Sequence, residues 1–328
     1  MSMTRAELQD AAHKAFDPAD LVPDAAKSWG LIAEMGWLMM AVPEELGGLG
    51  LGVEAAGVTH MALGRALVPG PAIAQMLVIT ALTAADGLPE RDDLLTQAMG
   101  GAVMTASLAG YSVAGGLTCV PDADRASHVL VIEDRRIALM PVDAQTLTAR
   151  ATWDKTRRLF DIAIDASATG FTLAEGDAAT ALAERLQAQR LFALSGDSLG
   201  GADAILRLTI EYLETRRQFD RPLAMFQALK HRVADMKTWL AAAEALFWAR
   251  GNDPAVTLAE MGALKAHTTT VYRTIAEEAV QLHGGIGLTM EHHCHLFLKR
   301  ALLNCALGGD ADQWEEMAGR QALAQATA

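Results

Sequence analysis

The chain is poor in basic residues and in aromatic residues. Of its 328 residues, 27 are Lys or Arg and 40 are Asp or Glu, which gives a formal net charge of −13. This shortage of cations argues against nucleic-acid binding, because that binding needs a basic surface. Aromatic residues make up only 5% of the sequence while hydrophobic residues make up 51%. That balance favours packed helices over a β-sandwich.

Cysteine and long apolar runs are scarce as well. Cys119, Cys294 and Cys305 are odd in number and widely spaced, so they suggest neither a disulfide framework nor a zinc motif. The first residues lack the apolar core of a signal peptide, and no run is long enough to span a bilayer. These absences predict a reduced, cytoplasmic protein that does not bind a membrane.

The pattern of apolar residues divides the chain into three predicted domains. Residues 1–105 have helical spacing that is interrupted by Pro43 and the glycines after it. Residues 106–168 contain short apolar runs separated by turn residues, which predict a small β-barrel-like domain. Residues 169–328 return to long apolar segments and predict an antiparallel helix bundle. The predicted fold class is α+β, mainly α.

Individual elements follow from the same pattern. The predicted strands are 104–109, 117–120, 128–132, 136–140 and 159–164. The predicted C-terminal helices are 179–215, 226–250, 256–282, 291–306 and 310–326.

The stretch Tyr212–Gln227 is a basic turn between two of these helices. It presents forked donors and amides beside an aromatic ring, namely Arg216, Arg217, Gln218, Phe219 and Gln227. Guanidinium groups suit phosphate, because two parallel N–H donors match two acceptor oxygens. The alternative is a solvated helix end, where arginine complements the helix dipole.

Two glycine-containing stretches accompany the basic turn, Ala41–Gly52 before it and Gln281–Thr289 after it. In this order and at this spacing the three stretches resemble the acyl-CoA dehydrogenase family, the flavoproteins that introduce an α,β double bond into acyl-CoA thioesters. The resemblance covers most of the chain. It implies a helix–β–helix domain order, FAD as cofactor, an acyl-CoA substrate, and assembly as a dimer or a dimer of dimers.

The resemblance also assigns contacts with FAD to single residues. Arg216 falls at the position that binds the pyrophosphate, Phe219 beside it, and Gln227 at the adenine end. Gln218 stands where relatives often have threonine and is expected to donate a hydrogen bond. The full expected set is Arg216, Gln218, Phe219, Gln227, Gln281, Gly284 and Gly285. In the family the basic turn and the glycine turn meet across a subunit interface. The alternative for the glycines is a tight turn between helices.

The catalytic base of the family has no counterpart at either of its usual positions. One position is occupied by Gly308 and the other by Gln189-Arg190 or Arg190-Leu191, so neither supplies a carboxylate. The family's tryptophan-containing strand beside the flavin ring also has no match. Trp153 lies too late in the segment, and we interpret it as a core or surface packing residue.

Asp197 is the carboxylate that could replace the missing base. It lies in an apolar helix seven residues beyond Arg190, on nearly the same face. Burial there is expected to raise its pKa and to suit it to removing a weakly acidic α-proton. The alternative is a capping or kink residue within Ser195-Gly196-Asp197.

The histidine cluster His292-His293-Cys294-His295 does not predict a metal site. Only His292 and His295 have the spacing of ligands on one helix face, and no second cluster completes the set. We therefore expect no metal.

The resemblance implies a function and an alternative to it. The first is FAD-dependent α,β-dehydrogenation of an acyl-CoA thioester, with electrons passed to an electron-transfer flavoprotein. The alternative is a non-catalytic subunit of a heteromeric acyl-CoA dehydrogenase, because the short chain and the missing bases resemble the abbreviated subunits of such enzymes. In that case a fuller subunit completes a shared FAD site.

Overall fold

The computed structural model describes residues 4–17, 20–110, 116–165 and 167–327. Parts of the three predicted domains that fall on residues 1–3, 18–19, 111–115, 166 and 328 lie outside the described residues. Within the described ranges, no helix is long and apolar enough to cross a membrane.

The N-terminal region is helical. Its helices are α1 (Arg5–Ala15), α2 (Ala25–Glu34), α3 (Gly52–Arg65), α4 (Ala72–Thr83) and α5 (Arg91–Met99). The first helix begins at Thr4, whose side chain accepts from the Glu7 backbone N–H while the Glu7 carboxylate accepts from the Thr4 backbone. This reciprocal capping box satisfies N–H groups that otherwise lack partners at a helix start.

Two small sheets form the middle region. Its strands are β1 (Met104–Ala106), β2 (Gly116–Pro121), β3 (His128–Glu133), β4 (Arg136–Pro141), β5 (Thr146–Arg150), β6 (Leu159–Ala163) and β7 (Phe171–Glu175). One sheet has the order β1-β3-β4-β7 and the other β2-β6-β5. Among the strands in the described ranges of this region, β1 and β3 pair in parallel and the other pairs are antiparallel. Apolar side chains such as Val129, Val131 and Ile162 fill the space between the sheets.

The sequence prediction missed two of these strands. Strand β5 reads Thr-Leu-Thr-Ala-Arg and is mostly exposed, so it lacks a strongly apolar run. Strand β7 lies at 171–175, just inside the predicted helical domain, and pairs with β4. The predicted domain boundaries remain predictions.

The C-terminal region is a helix bundle. It contains α6 (Gly176–Thr215), α7 (Gln227–Gly251), α8 (Leu258–His283), α9 (Cys294–Ala306) and α10 (Ala311–Ala326), with a short hairpin of β8 (Arg217–Gln218) and β9 (Arg221–Pro222) after α6. Because α7 reverses the chain, α8 runs in the same direction as α6. The aromatic ring of Tyr272 therefore packs on Gly201, and both helices end at the same side of the bundle.

Glycines let the N-terminal helices approach α6 closely. A Cβ atom at Gly200 would lie 1.9 Å from the Met61 carbonyl oxygen, and one at Gly64 would lie 2.0 Å from the Asp197 carbonyl oxygen. At this crossing the backbones of α3 and α6 touch, so no larger side chain fits.

Replacing Gly200 with alanine is therefore expected to lower the free energy of unfolding by at least about 1–3 kcal/mol, the usual cost of overpacking. Gly319→Ala is the matched control, because nothing lies within 4 Å of a Cβ at that helical position. Alanine there is expected to be neutral or to stabilise by up to about 1 kcal/mol. Urea unfolding of both variants tests this, and equal midpoints would contradict the close helix crossing.

Candidate cofactor and active site

The basic turn holds Phe219 in a backbone conformation that bulky residues rarely adopt. Phe219 and Asp220 have φ values of +52° and +62° at the tip of the β8–β9 hairpin. Two-residue hairpins of this kind require positive φ at both central positions. The Phe219 ring is 84% exposed, so burial of its own apolar surface does not compensate for the strain. Strain at an exposed aromatic residue is a recurring feature of ligand-binding sites.

Arg216 and Arg217 differ in how their guanidinium groups are used. The Arg217 guanidinium donates to the Asp220 carbonyl at 2.8 Å. The Arg216 guanidinium has no hydrogen-bond or ion-pair partner among the described residues, although its backbone is fixed by bonds to Tyr212 and Leu223. A fixed backbone with an open guanidinium suits the binding of an external anion.

The other residues predicted in this turn also lie near its surface. The Gln218 side-chain amide donates to the Arg217 carbonyl at 2.9 Å. Gln227 is the first residue of α7. The Phe219 ring contacts Phe226 edge-on, with 6.1 Å between the ring centroids. Gln218, Phe219 and Gln227 are thus carried by one hairpin and the helix start that follows it.

The glycine turn leaves open space over two of its residues. Gly284, with φ +63° and ψ −142°, ends α8 in a conformation that essentially only glycine adopts. A Cβ atom at Gly284 or Gly285 would meet nothing within 4 Å, and Gln281 is exposed one turn earlier. A ligand could therefore approach the backbone closely at this turn.

The basic turn and the glycine turn are neighbours within one chain. The Tyr212 hydroxyl donates to the His283 carbonyl at 3.2 Å, and the two rings stack with 4.4 Å between centroids. The resemblance implied that these turns meet across a subunit interface. Within one chain, parallel α6 and α8 bring both turns to the same end of the bundle, and their meeting across a subunit interface stays a prediction.

His283 also ties the glycine turn to the start of α9. Its Nδ1 lies 2.7 Å from the Ala279 carbonyl and 3.2 Å from the Cys294 thiol, and its ring packs on His292. Burial lowers the pKa of His283 and raises that of the Cys294 thiol to about 12. The ligand atoms of His283, His292 and Cys294 lie within 4.8 Å of one another. Because the Nδ1–H is committed to a carbonyl, we assign the cluster to anchoring the turn, and the absence of a metal remains a prediction.

The structure brings the two positions of the missing base together. A Cβ atom at Gly308 would lie 3.8 Å from Arg190 Cδ and 3.1 Å from Leu194 Cδ1. Arg190 is fully buried and donates to Gln187. The Gly308 and Gly309 carbonyls accept from Trp314 and Lys265, which fix the loop. Where the resemblance led us to expect a carboxylate, the structure has the buried side chain of Arg190 beside Gly308.

Asp197 lies at the centre of a buried polar network. Its Oδ1 accepts from Arg157 at 2.7 Å and from Arg300 at 3.1 Å, and its Oδ2 accepts from Asn304 at 2.7 Å. The α6 helix continues unbroken through Asp197, so the residue neither caps nor ends it. The cavity that Asp197 lines has a volume of about 20 Å³, enough for about one water molecule.

The charges of this network balance. Arg300 also donates to Asp154 at 2.7 Å, so two guanidinium groups face two carboxylates. Burial alone would lower the pKa of Arg300, but Asp154 and Asp197 raise it overall. Burial alone would likewise raise the pKa of Asp154, whereas Arg300 and Thr156 lower it. Arg300 and Asp154 are therefore charged at neutral pH.

Sequence reasoning missed the partners of Asp197. Asp154 and Arg157 come from the loop before β6, whereas Arg300 and Asn304 come from α9. A usable signal existed in α9, because Arg300 and Asn304 share a face with buried Phe297 and Ala301. Polar residues on an apolar helix face indicate a buried network. Trp153, beside Asp154, is 79% exposed and is a surface residue.

The combination of helices, two small sheets and a C-terminal bundle is the acyl-CoA dehydrogenase fold. The chain matches the structure titled "Tcur3481-Tcur3483 steroid ACAD G363A variant" with a TM-score of 0.85 and 23% identity over 99% of both chains. It matches the ChsE4-ChsE5 complex from Mycobacterium tuberculosis with a TM-score of 0.82 and 22% identity over 98% of both chains.

Sequence comparison then gives the family. The N-terminal and C-terminal domain models of acyl-CoA dehydrogenase match residues 2–90 and 179–323. Acyl-CoA dehydrogenase IpdE2 of Mycobacterium tuberculosis is 36% identical over 275 residues, which cover 83% of this chain and 79% of that protein. The IpdE2 of Mycolicibacterium smegmatis is 31% identical over 83% of this chain and 80% of that protein. The chain belongs to the acyl-CoA dehydrogenase family.

Proposed function

We propose that this chain is a subunit of an FAD-dependent acyl-CoA dehydrogenase that contributes to a shared FAD site and carries no catalytic base. A fuller subunit of the same family supplies the base and completes the site. The observation that carries this proposal is the state of Asp197, whose two oxygens are occupied by Arg157, Arg300 and Asn304.

The lack of space at Asp197 supports the same conclusion. Proton abstraction requires the base within hydrogen-bond reach of the substrate. A cavity of about 20 Å³ admits neither an acyl chain nor a flavin ring. Both carboxylate oxygens of Asp197 accept hydrogen bonds from buried partners, so we assign the residue to the network rather than to catalysis.

The two exposed turns support FAD binding. The open guanidinium of Arg216 offers paired donors for phosphate oxygens. The backbone at Gly284 and Gly285 is accessible because no side chain covers it. Phe219 presents its ring beside these groups, and Gln218, Gln227 and Gln281 supply further polar contacts. Bound FAD supplies the hydride acceptor for α,β-dehydrogenation.

The remaining partners follow from the family. We propose an acyl-CoA thioester as the substrate of the complete assembly and an electron-transfer flavoprotein as its electron acceptor, with the complex in the cytoplasm. The chain shares its fold with the ChsE4-ChsE5 complex of Mycobacterium tuberculosis, which is named for two different components. This supports a hetero-oligomer over a homo-oligomer.

Expression of the chain alone and with a fuller acyl-CoA dehydrogenase subunit encoded beside it tests the proposal. The chain alone is expected to show little flavin absorbance and no acyl-CoA-dependent reduction of a dye. The co-purified complex is expected to be yellow and active. A yellow, active protein from the single chain would contradict the proposal and favour catalysis by a homo-oligomer.

A further inference from the structure

A large cleft lies between α3, α6 and the segment that joins α7 to α8. Its volume is about 530 Å³, within the range of small-molecule sites and far above that of the cavity at Asp197. From α6 it is lined by Arg185, Ala188, Gln189 and Phe192. The basic turn, the glycine turn and Asp197 do not line this cleft.

The cleft lies on the opposite side of α6 from Arg190 and Gly308. Residues on an α-helix advance by 100° each, so Ala188 and Phe192 point nearly opposite to Arg190. Arg190 packs instead near Gly308, on the side of the Asp197 network. The cleft and the surroundings of Arg190 and Gly308 therefore lie on two sides of one helix, and among the candidate positions of the missing base Gln189 lines the cleft.

Small residues line the cleft beside Phe192, whose aromatic ring forms part of its wall. Gly52, Ala56, Ala188 and Gly251 line it where larger side chains would close it. Phe192 is only 5% exposed and stacks on Phe247 with 4.3 Å between the ring centroids. This part of the wall is thus rigid and apolar, as in a preformed ligand pocket.

Two buried polar atoms that lack hydrogen-bond partners belong to residues that line the cleft. His60 is 2% exposed and its Nδ1 has no hydrogen-bond partner in the described part of the chain. The Oε1 of Gln189 is buried without a donor, although its Nε2 donates to the Met76 carbonyl. Buried polar atoms without partners are costly, so a ligand that supplies a donor would stabilise the site.

Of the two arginines that line the cleft, one is paired with carboxylates of the described residues and the other is not. Arg250 is paired with Asp253 at 3.7 Å and with Glu260 at 3.2 Å. Arg185 is exposed and makes no ion pair with any described residue. Burial lowers the pKa of His60 to about 4, so its ring is neutral at pH 7. An anion of one charge would balance Arg185.

We propose that this cleft binds a monocarboxylic acid that has an apolar body and a hydroxyl group near the carboxylate. The carboxylate pairs with Arg185, and the hydroxyl donates to Gln189, one helical turn along. The apolar chain lies over Phe192 toward Val256 and Met261, which also line the cleft.

Calorimetric titration of the purified chain with 3-hydroxydecanoate tests the proposal. The acid is expected to bind, and its methyl ester to bind at least about tenfold more weakly because the charge-assisted bond is lost. Arg185→Ala is expected to weaken binding of the acid by about tenfold to a hundredfold. Gln189→Leu is expected to remove the preference for 3-hydroxydecanoate over decanoate.

Two further variants make the result decisive. Arg207→Ala is the control, because Arg207 lies on the same helix outside the cleft and pairs with Asp203. It is expected to leave binding unchanged. Ala56→Leu is expected to abolish binding by filling the cleft, with its melting temperature recorded to verify folding.

No binding by the native chain, or equal binding by Arg185→Ala and the native chain, would overturn the proposal. The titration needs no flavin, so its outcome is independent of the proposed catalytic assembly.

Discussion

Replacing Asp197 with asparagine is expected to lower the free energy of unfolding by about 3–5 kcal/mol, because it removes one member of a buried ion network. Arg157 would lose its 2.7 Å carboxylate partner inside the protein, and Arg300 would keep Asp154 as its one carboxylate partner in the described network. Asparagine has nearly the same shape as aspartate, so the effect measures the charge and not a cavity. Urea unfolding of the two proteins gives the difference.

Asp177→Asn is the matched control for this experiment. Asp177 lies on the same helix and pairs with Arg135, but its side chain is 97% exposed. Exposed pairs contribute about 0–1 kcal/mol, so this variant is expected to unfold almost like the native chain. Equal stability of both variants would contradict the structural role of the network.

The Asp197→Asn variant also separates a structural role of Asp197 from a catalytic one. If Asp197 stabilises the fold, the folded complex with a fuller subunit keeps its turnover per flavin when Asp197 is replaced. If Asp197 is the base, the variant remains stable and loses turnover by orders of magnitude, because an amide cannot accept the proton. Activity normalised to bound flavin distinguishes the two.

Replacing Arg216 with alanine is expected to weaken FAD binding by the assembled complex about tenfold to a hundredfold, which corresponds to the loss of hydrogen bonds to a charged group. Its guanidinium is open in the structure and its backbone is fixed at the end of α6. The retained flavin after gel filtration, together with titration of the apoprotein, measures the change.

Arg217→Ala is the control for Arg216. The Arg217 guanidinium already donates to the Asp220 carbonyl, so its removal is expected to change FAD affinity by less than about threefold. Melting temperatures of both variants show whether the hairpin remains folded. Full flavin content in Arg216→Ala would exclude the basic turn as a phosphate-binding element.

The buried network also has a consequence for architecture. Asp154 and Arg157 belong to the loop before β6, whereas Asp197, Arg300 and Asn304 belong to the bundle. Their hydrogen bonds require one orientation of the small sheets against the helices, because charge pairs tolerate less rearrangement than apolar contacts. The network lies between the small sheets and the helix bundle, around Asp197.

Much of the fold was accessible from the sequence because it rests on local patterns. Helical periodicity placed α7 and α8 within two residues of their observed ends, and short apolar runs located β3 and β4. The order of the three glycine and basic stretches indicated the family, which sequence comparison then showed. The exposed strand β5 was missed because it lacks a strongly apolar run.

Only the tertiary structure decided the surroundings of the site residues. Arg157, Arg300 and Asn304 lie 40, 103 and 107 residues from Asp197, and no local pattern connects them. The neighbouring positions of Tyr212 and His283 likewise depend on α7 reversing the chain. The sequence by itself determined which helices form and which turns carry arginine and glycine, since these depend on residues close in the chain. Packing determined which charges neutralise each other and where space remains, since these depend on helices far apart in the sequence.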